Sequence, residues 1–220
     1  MTPPVPMLLS RLHYPLHNLG YGVRAGVWFQ GCTIGCRGCL ARDTWPADET
    51  RRCDVGQVLA WLEQIDGPMD GVTISGGEPT DQPQALRALL EGIRQTEHAA
   101  PLDILLYSGR PMRWLREQFD WLTGLVDALV SEPFIAARAG NDALRGSSNQ
   151  RVHVLTDRGR RRYGDQAMRT TYTEQRRRLG VHVDDESIRL VGIPLPGAMS
   201  ELAAALSTRG IDVRDASWLS

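Results

Sequence analysis

Three cysteines stand in one short glycine-rich loop, Gly31-Cys32-Thr33-Ile34-Gly35-Cys36-Arg37-Gly38-Cys39, spaced C-x3-C-x2-C. Thiols this close cannot all pair with one another as disulfides, but their thiolates can wrap one face of a metal centre. A cubane iron–sulfur cluster has four irons, so three thiolates leave one iron without a protein ligand, and that iron is the reactive position. The glycines suit a loop that folds tightly, with positive φ and backbone N–H groups turned towards the sulfides. The alternative is structural zinc with Cys53 as the fourth ligand, since four-cysteine zinc sites are common. Zinc sites usually bring their thiolates as two separated knuckles. Here the fourth cysteine stands alone before a helix, so the spacing favours the cluster.

The elements that must position this loop are read from the alternation of apolar runs and amphipathic stretches. Residues 25–30 have strand character and deliver the chain directly into the cysteine loop, at the strand end where α/β folds place their chemistry. Asp54 is placed to cap a helix carrying Val55, Val58, Leu59, Leu62 and Ile65, which Gly67-Pro68 ends. Residues 71–75 form a second strand, followed at once by Gly76-Gly77-Glu78 and a helix carrying Leu86, Leu89, Leu90 and Ile93, with Asp81 as its expected cap and Pro83 in its first turn. Strands follow at 102–107, 126–130 and 151–155, with a helix over 111–119 between the first two.

Residues 1–20, rich in proline and glycine, read as an irregular lead-in, residues 187–191 as a late strand, and residues 201–207 as a terminal helix ended by Gly210. The alternation predicts an α/β fold of parallel strands with helices outside, wound right-handed. There are too few units for a closed eight-fold barrel. The expected architecture is an open partial (β/α) barrel with the cluster at the C-terminal ends of its strands.

The cysteine loop resembles the signature of the radical S-adenosylmethionine (SAM) enzymes, and Ser75-Gly76-Gly77-Glu78-Pro79 is similar to their SAM-contacting motif. The segment 144–153, Leu-Arg-Gly-Ser-Ser-Asn-Gln-Arg-Val-His, resembles one in a narrower group, the activating proteins of anaerobic ribonucleoside-triphosphate reductase. Thr44-Trp45 and Leu106-Tyr107-Ser108-Gly109 also fit that group. The resemblance covers residues 14–155.

It implies that Cys32, Cys36 and Cys39 hold a [4Fe–4S] cluster whose open iron binds the amino and carboxylate groups of SAM. Ser75, Gly76, Gly77 and Glu78 then contact SAM, Glu78 by favouring the ammonium end or by anchoring the turn. Radical-forming enzymes of this kind often carry an aromatic residue just before the third cysteine, close to the adenine. That position here is Gly38, as in the reductase activators, so the base packs elsewhere. Ser108 and Asn149 are further candidates for ligand contact, with ordinary turn residues as the alternative. After the fourth strand the activators commonly show Asp-Gly, whereas this chain has Ser131-Glu132-Pro133, in which proline changes the backbone.

By the same resemblance the protein is an activase that takes hydrogen from a glycine of a glycyl-radical enzyme subunit, with a flavodoxin- or ferredoxin-type electron donor. The alternatives are a radical SAM enzyme acting on a small molecule or peptide, and a four-cysteine metal-binding adaptor. No cysteine follows Cys53, so auxiliary clusters of the peptide-modifying kind are not expected, and Cys53→Ala is expected to keep SAM cleavage.

Composition bounds the rest. The 220 residues suit a single domain, with its core over 14–155 and an extension over 156–220. A net charge of −1 gives no pull towards nucleic acid or anionic membrane. No stretch is long and apolar enough to span a bilayer and no leader pattern opens the chain, so a reduced cytoplasmic setting is expected. All basic side chains other than histidine are arginine; the absence of lysine excludes Schiff-base chemistry and a lysine-dependent phosphate loop. Residues 158–180 are strongly basic, with Arg160-Arg161-Arg162 and Arg176-Arg177-Arg178. They read as a solvated face or as a docking surface for an acidic partner.

Overall fold

The computed structural model describes residues 4–96, 100–142, 144–164, 179–183, 188–213 and 216–217. Its first element corrects the expected irregular lead-in, for β1 (Pro6–Leu16) is an 11-residue strand. It pairs antiparallel with β2 (Arg24–Phe29) on one side and with β3 (Arg52–Asp54) on the other.

Beyond β2 the sheet continues in parallel through β4 (Gly71–Gly76), β5 (Asp103–Tyr107) and β6 (Ala128–Ser131). β7 (Arg151–Val154) closes the row antiparallel to β6, giving the order β3-β1-β2-β4-β5-β6-β7. The α/β class and the open sheet match expectation; the parallel part is limited to the four central strands. The fifth expected strand is present but runs the other way, because the chain from β6 returns through a loop rather than a crossover helix, which only a parallel neighbour needs.

Helices cover one face of the sheet. α1 (Val55–Glu63) starts at a capping box in which the Asp54 carboxylate accepts from Gly56 N–H at 2.7 Å and Gln57 reaches back to Asp54 N–H. α2 (Pro83–Gln95) carries Leu86, Leu89, Leu90 and Ile93 inward at helical spacing. With α3 (Met112–Gln118) and α4 (Leu122–Leu125), these helices bury Val27, Phe29, Val72, Ile74, Ile104, Leu106 and Leu129, one side of each strand's alternation.

The opposite, inner face carries Trp28, Leu105, Tyr107, Ala128 and Val130. Leu16, Leu19 and Tyr21 cover it, together with Tyr163 of α5 (Asp157–Tyr163) and Val191 of a separate hairpin, β8 (Leu179–Val183) with β9 (Ile188–Gly192). The expected late strand is thus half of this hairpin, and α6 (Ala198–Ser207) is the expected terminal helix, three residues longer at its start. In α5 the basic run is used structurally, Arg158 donating to Leu102 O and Arg162 to Asp70, while Arg176-Arg177-Arg178 lie outside the described residues.

Candidate active site

Four parallel strands end at one edge, and each hands over to a segment of the site. After β2, Gln30 turns inward and its amide donates to Asp43 O and Pro46 O, anchoring the segment that frames the cysteine loop. Gly31 N–H donates to Thr44 O at 2.7 Å and Cys32 N–H to Trp45 O at 3.0 Å. Gly31, Gly35 and Gly38 have φ of 98°, 60° and 82°, the positive values expected for a tightly folded loop.

The turn after β4 docks directly against this loop. Gly77 N–H donates to Phe29 O and Glu78 N–H to Gly31 O, each at 2.8 Å. A Cβ on Gly77 would lie 2.0 Å from Gly31 O, and one on Gly76, at φ 112°, would lie 2.4 Å from the backbone of Phe29. The Gly-Gly pair is therefore required first by the close approach of two protein backbones.

Glu78, 1% exposed, is the anchor of this turn. Its Oε1 accepts from Thr80 N–H, the Thr80 hydroxyl and the Ser108 hydroxyl at 2.8 Å, and its Oε2 from Gly109 N–H at 2.8 Å. Burial pushes its carboxyl above the ordinary value, against the pull of these donors. These bonds anchor the turn, one of the two roles expected for Glu78.

Asp81 does not cap α2, whose first turn has no side-chain cap. Its Oδ2 accepts instead from Thr33 N–H at 2.7 Å and the Thr33 hydroxyl at 2.8 Å, and its Oδ1 from Arg110 at 2.9 Å. Arg110 also donates to Thr33 Oγ1 at 2.7 Å. One arginine and one aspartate thus clamp the residue next to Cys32 to the loops after β4 and β5.

These segments enclose a cavity of about 160 Å3 lined by Cys32, Cys36 and Cys39, by Ser75, Gly76, Gly77 and Glu78, and by Ser108. Two expected residues do not line it. Gly38 backs onto Ala136, and the Asn149 amide donates to Pro133 O at 2.8 Å, bracing the loop after β6. Its neighbour Gln150 faces the cavity instead, as do Trp45, Tyr107, Gly109, Glu132 and Phe134. Thr44-Trp45 and the departure at Ser131-Glu132-Pro133 were the sequence signals for two of these segments. Glu132 has φ 80°, the only positive value at a non-glycine among the described residues. A larger hollow of about 440 Å3 lies by Arg116, Asp120 and Val154, away from every cysteine, and holds none of the expected chemistry.

The thiols fit a cluster better than a single ion. None of the described cysteines is in a disulfide. Burial raises the pKa values of Cys32 and Cys36, and at Cys36 the nearby Cys39 and Cys32 add to the effect, a repulsion that cationic irons relieve. A cubane offers a different iron to each of three thiolates, and Cys32, Cys36 and Cys39 line one cavity. Cys53, the fourth zinc ligand of the alternative reading, lies on β3 opposite Met7 of β1 and packs against the helical core.

Comparison with known proteins agrees. Residues 18–153, more than half of the chain, match the family described as "4Fe-4S single cluster domain". The anaerobic ribonucleoside-triphosphate reductase-activating protein of Pasteurella multocida is 28% identical over 66% of this chain and 96% of its own length. That of Haemophilus influenzae is 28% identical over 64% and 94%. The pyruvate formate-lyase-activating enzyme of Streptococcus mutans is 29% identical over 50% of this chain and 44% of its own. No described helix is long and apolar enough to cross a membrane. The chain belongs to the 4Fe-4S single cluster domain family, and it is a radical SAM enzyme of the activating type whose cofactors are a [4Fe–4S] cluster and SAM.

Proposed function

We propose that this protein activates a glycyl-radical enzyme, with anaerobic ribonucleotide reductase as the first candidate partner and a flavodoxin- or ferredoxin-type protein as electron donor. Cys32, Cys36 and Cys39 hold the cluster, and Ser75, Gly76, Gly77 and Ser108 line the space for SAM. When bound, cluster and SAM together supply a one-electron cleavage of the sulfonium and hence a radical able to take hydrogen from a backbone glycine.

The chain's own residues do the positioning. Asp81 and Arg110 hold Thr33 and with it the start of the cysteine loop. Glu78 gathers Thr80, Ser108 and Gly109 so that the loops after β4 and β5 keep one spacing. The observation that carries this reading is the convergence of the cysteine loop, the Gly-Gly-Glu turn and Ser108 on one cavity, in a chain whose relatives are activating enzymes. We read residues 1–220 as one domain of a cytoplasmic protein, its core over 14–155, with the extension closing the inner face of the sheet.

The test mixes the reduced holoprotein and SAM with the purified glycyl-radical subunit encoded in the same genome. A glycyl doublet in the electron paramagnetic resonance spectrum, absent without the protein, is the expected result. No doublet, together with steady SAM consumption on adding a small metabolite, would contradict it.

A further inference from the structure

The geometry points to Phe134 as the platform on which the adenine of SAM stacks, so that the loop after β6 recognises the base. This rests on the radical SAM reading above. With glycine at position 38, the cysteine loop has no ring to offer. Three aromatic side chains line the cavity: Trp45, Tyr107 and Phe134.

The first two are engaged elsewhere. The Arg42 guanidinium lies over the Trp45 ring, 5.1 Å from its centroid. Tyr107 packs against both apolar clusters of the inner face. Phe134 belongs to no apolar core cluster, yet it is half-buried at the cavity.

The backbone is tied down on both sides of it. Pro133 O accepts from the Asn149 amide at 2.8 Å, and Ile135 N–H donates to Ser147 Oγ at 3.1 Å. The ring is flanked by two glycines: a Cβ on Gly146 would stand 3.0 Å from Cδ2, and one on Gly38 3.6 Å from Cε1. An aromatic ring with no core to fill, held at the cavity by a loop braced at both neighbouring residues, is the arrangement a purine face requires. Glycine at 38 is required by its φ of 82° and by Ala136, 3.0 Å from where a Cβ would stand, and the ring comes from a distant loop instead.

The test measures equilibrium binding of SAM and of methionine to the anaerobically reconstituted holoprotein and to its Phe134→Ala, Phe134→Leu and Phe134→Tyr variants. Base–aromatic stacking predicts that the Ala and Leu variants bind SAM about tenfold more weakly, while the Tyr variant stays close to native. Methionine, which has no base, binds all four alike. Native-like SAM binding by Phe134→Ala would overturn the assignment, and so would equal losses for SAM and methionine, which would mean a collapsed loop. Failure of the native holoprotein to bind SAM would overturn the proposed function along with it.

Discussion

The two ends of the parallel strands solve opposite problems. At the N-terminal end Arg24, fully buried, donates from Nε to Thr73 at 2.6 Å, from Nη1 to Tyr21 O and Asp103, and from Nη2 to Val72 O and to Asp103 at 2.8 Å. Tyr163 donates to the same Asp103 at 2.7 Å. Beside it Asp127 accepts from Arg94, Thr156 and Ile104 N–H. These charges are removed from water and their hydrogen bonds named above are all internal, so this end is built to stay shut. The C-terminal end has thiols, glycines and a cavity, and its one deeply buried carboxylate, Glu78, faces neutral donors only. Stability is concentrated at one end of the strands, and the capacity to bind at the other.

The largest expected effect breaks the closed end. Arg24→Met leaves Asp103 charged in the interior with only the Tyr163 hydroxyl and, at 3.8 Å, the Arg162 guanidinium beside it, which costs about 3–5 kcal/mol; pairing it with Asp103→Leu recovers much of that. Urea denaturation of the single and double variants measures both. At the open end Gly77→Ala drives a methyl into Gly31 O and costs about 1–3 kcal/mol of local strain. Here the denaturation midpoint moves less than in Arg24→Met, while iron and sulfide content falls sharply. A variant with full iron content would show that the turn does not brace the cysteine loop.

Glu78→Gln sharpens the contrast further. Each carboxylate oxygen accepts from a backbone N–H, so an amide must turn its NH2 towards one of them, at a cost of about 1–3 kcal/mol. Because burial raises the Glu78 pKa, the folded state holds the proton more tightly than the unfolded chain does. Native stability therefore declines as pH rises from the ordinary value of 4.5 through the raised one, and the Gln variant escapes that decline. The gap between the two should narrow with rising pH across that window in thermal melts. A gap that widens would mean that the four donors outweigh burial. The smallest effect is expected for Cys53→Ala, on β3 outside the cavity, with cluster content unchanged by iron assay.

What was legible in the sequence follows from how local each signal is. The apolar runs of β2, β4, β5 and β6 and the Asp54 cap are local, and they stand where the pattern places them. β1 was hidden because Pro6 and Pro15 bracket it and its side chains are mostly half-buried, so no clean alternation marks it. The direction of β7 has no periodic signature at all. Asp81 looked like a helix cap, since an aspartate before an apolar-periodic segment usually is one. Its oxygens went to Thr33 and Arg110, 48 and 29 residues away, partners that only the fold supplies. Phe134 is the same case: its place beside Gly38 comes from the sheet order, which the linear sequence does not display.

The central claim, that the open end carries radical SAM chemistry, is tested most directly by 5′-deoxyadenosine formation from SAM. The measurement uses anaerobically reconstituted, chemically reduced protein with Cys36→Ala as control. Product from the native protein and none from the variant is the predicted result. No product from native protein carrying its full iron and sulfide would contradict the account.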